Sequence, residues 1–222
     1  MTNVAVHTPL WLALLTTAIG AIEGAVIGRQ AKSAALDVVG IFVFALFLGL
    51  GGGIVRDIML GNTPLVALRT PWYVLTVCVA VVLVLIAGKY VRVNSWAFVL
   101  LDALTLGLYA AIGTQYALDF GLPDVGAVVV GLFASLSGGV IVSLLQQQTP
   151  SLLQPGFPYG LLAFVGVVTY VVIDGFNDSI ATIVCIASVV ALRFITLKWG
   201  LRTHRITPIT PPTNPDGHRP LA

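Results

Sequence analysis

Residues 48–60 read LGLGGGIVRDIML. Three consecutive glycines, Gly51, Gly52 and Gly53, interrupt an apolar run, and Arg56 and Asp57 follow directly. Glycine inside a helix costs about 1 kcal/mol relative to alanine. A charge at the centre of a bilayer costs about 2.5–3.5 kcal/mol on insertion scales. These are the residues least suited to a straight helix and to oil.

The setting is oil. The chain has 222 residues, 58% hydrophobic and 9% charged, with a mean hydropathy of +1.00. A soluble domain carries about 25% charged residues, so this chain cannot cover a soluble surface and reads as an integral membrane protein. Its net charge of +2 gives no reason to expect nucleic acid. Cys78 and Cys185 sit in different apolar runs without metal-ligand spacing and read as small buried hydrophobes. The first apolar run lacks a basic leader and a small-residue cleavage site, so it reads as a retained helix.

A span needs roughly 20 mostly apolar residues. The runs that qualify are 10–28, 38–60, 71–88, 95–116, 125–146, 157–174 and 179–197, which predicts seven helices. The runs are continuous rather than alternating at period two, which argues against a barrel. Arg29, Lys32, Lys89, Arg92, Lys198, Arg202 and Arg205 fall in loops on one side. Arg69 and the acids Asp119, Asp124, Asp174 and Asp178 fall on the other. The positive-inside bias then puts the N-terminus outside and the C-terminus in the cytoplasm. Residues 201–222 are expected to be a cytoplasmic tail, proline-rich and disordered from 206 onward.

A second glycine cluster lies in ASLSGGVIVSLLQQQTP, residues 134–150. Pro64 and Pro150 are 86 residues apart, and the same offset aligns Thr63 with Thr149, Gly52 with Gly138, Gly53 with Gly139 and Tyr73 with Tyr159. Two three-helix units are expected, 1–93 and 94–176, followed by a seventh helix in 177–200 as a scaffold or contact element. An odd number of helices per unit inverts the second unit, the design of many transport proteins.

Paired clusters at Gly51, Gly52, Gly53 and at Ser137, Gly138, Gly139 predict that both helices break. The alternative is close packing through small residues. Freed backbone groups are tolerated at membrane depth only where they line protein or water, so facing breaks predict a pathway. At 1.5 Å per residue, Gly52 lies roughly 21 Å from the inner end of its run and Gly138 roughly 20 Å from the outer end of its own. The two flank the midplane of a core about 30 Å thick. Arg56 and Asp57, in the outer half, point roughly 100° apart on a helix and are expected not to pair. Arg56 faces the bundle or water, or snorkels to the outer headgroups. Glu23 and Asp102 lie in the inner half, either as structural hydrogen-bonding groups or as polar pore lining. Tyr109, which aligns with Glu23, and Ser143, which aligns with Asp57, are further candidates for polar lining.

Enzyme chemistry finds no support. His7, His204 and His218 lie near the termini. There is no nucleophile elbow, no histidine metal site and no phosphate loop. No cofactor is expected.

GLGGGIVRDIMLGNTP followed by WY, with LDALTLGLYAAIGTQYAL, SGGVIVSLLQQQTP and PYG, resembles the prokaryotic trimeric intracellular cation (TRIC) channels. These sit within a wider bacterial membrane group, some labelled glycine transporters. The resemblance covers about residues 10–197. It implies a homotrimer in which each protomer has its own pore. That pore is framed by the first, second, fourth and fifth helices, kinked at the glycines, and passes potassium and sodium. The second half departs from the pattern, with Ser137 for the first glycine and Val142 and Ser143 for the Arg-Asp pair. Thr16 stands at the position aligned to Asp102, where many relatives carry an acid. Two transport functions follow. One is a potassium-permeable channel embedded in lipid. The other is a carrier for a small zwitterion such as glycine, with Arg56 on its carboxylate and Asp57 or Glu23 on its ammonium. A lipid-binding or scaffolding membrane protein without transport is a weaker third class, since buried charge and broken helices have no use in a passive bundle.

Overall fold

The computed structural model describes residues 8–31, 36–87, 93, 95–154 and 159–200. Among them all regular structure is helical: α1 (Leu10–Arg29), α2 (Val38–Met59), α3 (Val66–Arg69), α4 (Trp72–Ala87), α5 (Trp96–Asp119), α6 (Asp124–Leu145), α7 (Tyr159–Asp174) and α8 (Asp178–Trp199). Five of them, α1, α2, α5, α6 and α8, are long and apolar enough to cross a membrane. The apolar helices α4 and α7 have 16 residues each. The single turn α3 falls where the sequence had only a loop. Lys32, Lys89, Arg92, Arg202, Arg205, the three histidines and the 201–222 tail lie outside the described residues.

Small residues set the packing. Gly20, Gly24 and Gly28 share one face of α1, four residues apart. A Cβ at Gly24 would strike the Phe44 carbonyl oxygen, and one at Gly28 would lie 3.2 Å from Ile41 Cα. The order of contacts makes α1 and α2 antiparallel. In α5 and α6 a Cβ at Gly113 would lie 3.1 Å from Gly131 Cα, and Gly131 abuts Thr114 and the Ala110 carbonyl. Lipid supplies no hydrophobic drive between helices, so such close backbone approach is what holds them together.

The crossing of α2 and α6 corrects the expected breaks. Both helices run unbroken through their glycine clusters. A Cβ on Gly52 would strike the Ala134 carbonyl oxygen, and one on Gly138 would lie 3.3 Å from the Leu48 carbonyl oxygen. Ala134 is 86 residues beyond Leu48, as Gly138 is beyond Gly52, so the contact is reciprocal. The glycines let two backbones touch instead of freeing their hydrogen bonds.

The helix α8 lies antiparallel to α5. Trp96 stacks on Phe194 with centroids 5.7 Å apart and planes 9° apart, and a Cβ on Gly107 would lie 3.1 Å from Ile186 Cα. Cys185 is buried there, its thiol pointing to the Gly107 carbonyl. Cys78 is not buried as expected. It stands on the outward face of α4, whose inward residues Tyr73, Val77, Ala80, Val81 and Val84 make the contact with α1 and α2. Arg29 donates to the carbonyls of Val84 and Leu85 and so satisfies the open C-terminal end of α4. The C-termini of α1 and α4 therefore share one end of the bundle.

Candidate functional site

Two cavities lie against α1, α2 and α5: the inner one is completed by α6, Tyr159 of α7 and Arg193 of α8, the outer one by α3 and Tyr73 of α4. The inner one, at the end of the bundle where α1 terminates, has a volume of about 290 Å³. The outer one is about 30 Å³, close to the volume one water occupies. Among the described residues only Tyr109 lines both. Its hydroxyl donates to the Gly49 carbonyl, and its ring lies against the position a Cβ of Gly52 would take. Tyr109 therefore borders both cavities, held by the α2 backbone that the glycines leave open.

The outer cavity holds Gly53, Arg56 and Asp57. Arg56 and Asp57 do pair, against expectation. Arg56 Nε and Nη2 reach Asp57 Oδ1 at 2.9 and 2.7 Å. The long arginine side chain folds back across the angle that separates neighbours on a helix. Its guanidinium carbon also lies 3.5 Å from the centre of the Tyr116 ring on α5, a cation–π contact that desolvation strengthens. Asp57 Oδ2 accepts from Val66 N at 2.7 Å, so the pair also anchors the start of α3. Arg56 is 6% exposed and Asp57 1%. Arg56 does not snorkel.

The inner cavity holds Glu23, Asp102, Tyr109 and Ser143, with Gly52, Gly138 and Gly139. Asp102 Oδ1 accepts from the Tyr159 hydroxyl at 2.8 Å, and Asp102 Oδ2 pairs with Arg193 Nη2 at 2.9 Å. Glu23 faces Asp102 and Thr105. Ser143 donates to the Gly139 carbonyl at 2.8 Å. Gly51 and Ser137 line neither cavity. Gly51 packs on Gly138, and Ser137 points to the Ala134 carbonyl. A Cβ on Gly139 would meet nothing within 4 Å. Of the six cluster residues, Gly51 and Ser137 only pack, Gly53 and Gly139 line a cavity, and Gly52 and Gly138 do both, a distinction that sequence alone leaves open.

Sequence reasoning missed Arg193, Tyr159, Tyr116 and Thr105 as members of these sites. Tyr159 was signalled by its match to Tyr73 at the repeat offset, and Tyr73 lines the outer cavity as Tyr159 lines the inner. Arg193 was signalled as a lone charge inside the last apolar run. It makes α8 a contributor to the cavity as well as a scaffold. Among the described residues no group of three histidine, cysteine or acidic side chains could hold a metal ion.

The fold is that of the TRIC channels. The structure of the TRIC trimeric intracellular cation channel orthologue from Rhodobacter sphaeroides matches with a TM-score of 0.77 and 28% identity, covering 86% of this chain and 98% of that one. The UPF0126 inner membrane protein YadS of Escherichia coli K12 is 25% identical over 86% of this chain and 93% of its own. A UPF0126 membrane protein of Vibrio cholerae is 26% identical over 83% of this chain and 77% of its own. A family model described as "Glycine transporter" matches residues 10–89 and 99–175. The chain belongs to that family and is a multi-pass membrane protein.

Proposed function

We propose that the chain is a monovalent cation channel, permeable to potassium and sodium, with a pore inside each protomer between α1, α2, α5 and α6. The observation that carries this reading is the pair of cavities that share Tyr109 as a lining residue. The likeness to TRIC channel structures supports it. The outer cavity's small volume makes this a closed arrangement, in which conduction requires Tyr109 or the α2 segment against it to move.

The pore reading includes seven spans in two inverted units, 1–93 and 94–176, then a seventh span in 177–200 and a tail. Support comes from residues 86 apart in sequence that occupy opposite cavities. Gly53 lines the outer and Gly139 the inner; Gly49 and Ser135, Asp57 and Ser143, and Tyr73 and Tyr159 divide the same way. The family model's two matched stretches fall one on each unit. For orientation, Arg29 and Lys198 close one end of the bundle and Asp119, Asp124, Asp174 and Asp178 the other, which favours an external N-terminus. Assembly as a homotrimer follows from the trimeric Rhodobacter channel.

The competing reading is a carrier for a zwitterion such as glycine, after the family description. The Arg56 version of that mechanism is disfavoured, because its guanidinium is taken up by Asp57 and Tyr116. Purified protein in liposomes decides between the two. A channel gives passive potassium flux and no glycine counterflow; glycine counterflow without potassium flux would overturn the proposal.

A further inference from the structure

Among the described residues, the charged side chains lining the inner cavity are Glu23, Asp102 and Arg193. Asp102 Oδ1 accepts from the Tyr159 hydroxyl, and Oδ2 lies 2.9 Å from Arg193 Nη2 as an ion pair. Glu23 is 5% exposed, lines the cavity, and its Oε2 has no hydrogen-bond partner. With both carboxyls ionised, these three side chains carry a single net negative charge, however they share their contacts. A buried charge without compensation is not sustained at membrane depth. It needs a proton or a mobile cation. Around Glu23 the further oxygens are those of Asp102 and the Thr105 hydroxyl, which donates to the Leu101 carbonyl and keeps its lone pairs free to accept. These are hard oxygen donors, suited to an alkali cation.

We infer that Glu23, together with Asp102 and Thr105, binds one partly dehydrated monovalent cation in the inner cavity, and that Arg193 holds the charge of the site at minus one. This deepens the channel reading and rests on it. A divalent ion would be left half compensated, so the guanidinium selects against it. Arg193 reaches the site from α8, outside the helices that frame the pore, so α8 sets the valence the cavity accepts.

Equilibrium binding of radioactive rubidium to the purified full chain in detergent tests this without any flux measurement. The wild type should bind one rubidium per protomer, displaced by potassium and not by glycine. Glu23→Gln keeps the shape and removes the charge, and should weaken binding roughly tenfold or more. Arg193→Gln doubles the net negative charge and should let barium compete where it did not before. Should Glu23→Gln fail to assemble, Asp102→Asn removes the same charge and carries the same expectation. Four results would each overturn the site: no stoichiometric rubidium binding, which leaves a proton on Glu23; unchanged affinity in Glu23→Gln; displacement by glycine; or barium exclusion that survives Arg193→Gln. The outcomes separate from the channel reading. A chain that conducts potassium while Glu23→Gln binds rubidium normally keeps its pore and loses this site. A chain that binds rubidium at Glu23 and carries no current keeps the site and loses the pore.

Discussion

Gly52 and Gly139 are both cluster glycines, and the structure gives them opposite fates on conversion to alanine. At Gly52 the new methyl would strike the Ala134 carbonyl oxygen and lie 2.6 Å from Tyr109 Cδ1. The oxygen belongs to a helix backbone and cannot rotate away, so α2 and α6 must separate. Overpacking of this kind costs about 1–3 kcal/mol. At Gly139 the methyl meets nothing within 4 Å, and only the helix-propensity term remains, worth up to about 1 kcal/mol in favour of alanine. The propensity gain is common to both positions, so the two variants should differ by the overpacking cost, about 1–3 kcal/mol, roughly five- to 150-fold in the folding equilibrium. In a chain of this size that is a spread of about 2–12 °C in melting temperature. Thermal unfolding of the detergent-purified variants, followed by intrinsic tryptophan fluorescence, reads the spread directly. Gly52→Ala should melt below the wild type and Gly139→Ala at or slightly above it. If both melt together, the α2–α6 contact does not depend on Gly52 and the packing account of the first cluster fails.

Arg56→Ala strands Asp57 at 1% exposure and should destabilise by about 3–5 kcal/mol; Arg56→Lys should recover part of this, since an ammonium lacks the fork and stacks less well on Tyr116. Melting temperatures together with single-channel recording check it, and wild-type behaviour in both variants would show that the guanidinium ties nothing together. For topology, with Cys78 first replaced because it stands on the outward face of α4, a cysteine introduced at Asp119 should react with an impermeant maleimide added to intact cells while one at Lys198 stays protected. The reverse pattern would invert the bundle and place the Glu23 cavity outside.

The helical class and the membrane setting were legible because a span must be long and apolar, a demand that shows as an uninterrupted run. The offset between Pro64 and Pro150 was legible because matched residues recur in order. What the glycines do was not. A break and a close approach both call for a missing Cβ, and only the neighbouring helix tells them apart: the Ala134 carbonyl sits over Gly52, and nothing sits over Gly139. The Arg56–Asp57 pair was misjudged because helical angles describe Cβ directions, whereas an arginine is long enough to turn back on its own neighbour. The turn α3 was invisible because its anchor is a tertiary contact, Asp57 Oδ2 accepting from Val66 N at 2.7 Å. Arg193 was overlooked among the basic residues used for orientation, being inside the span rather than beyond its end.

A positive charge beside a cation path is the hardest feature to reconcile with a channel, and the geometry answers it. The Arg56 guanidinium lies within 2.7 Å of an Asp57 oxygen, so what the outer cavity presents to an approaching ion is close to a dipole. Its field falls off faster than that of a lone charge, and an ion in the cavity meets little net repulsion. On the proposed repeat, the positions equivalent to Arg56 and Asp57 are Val142 and Ser143, and those equivalent to Glu23 and Asp102 are Tyr109 and Thr16. The two proposed units therefore carry unlike side chains: the Arg56–Asp57 ion pair with hydroxyls at the outer cavity, and Glu23, Asp102 and Arg193 among the described residues of the inner one. On the proposed channel reading, a cation would gather at the inner cavity beside Glu23 and cross the outer one without an electrostatic well to hold it. That asymmetry favours conduction over capture. A carrier must hold its substrate from each side in turn, and only the inner side here has the charge to do so.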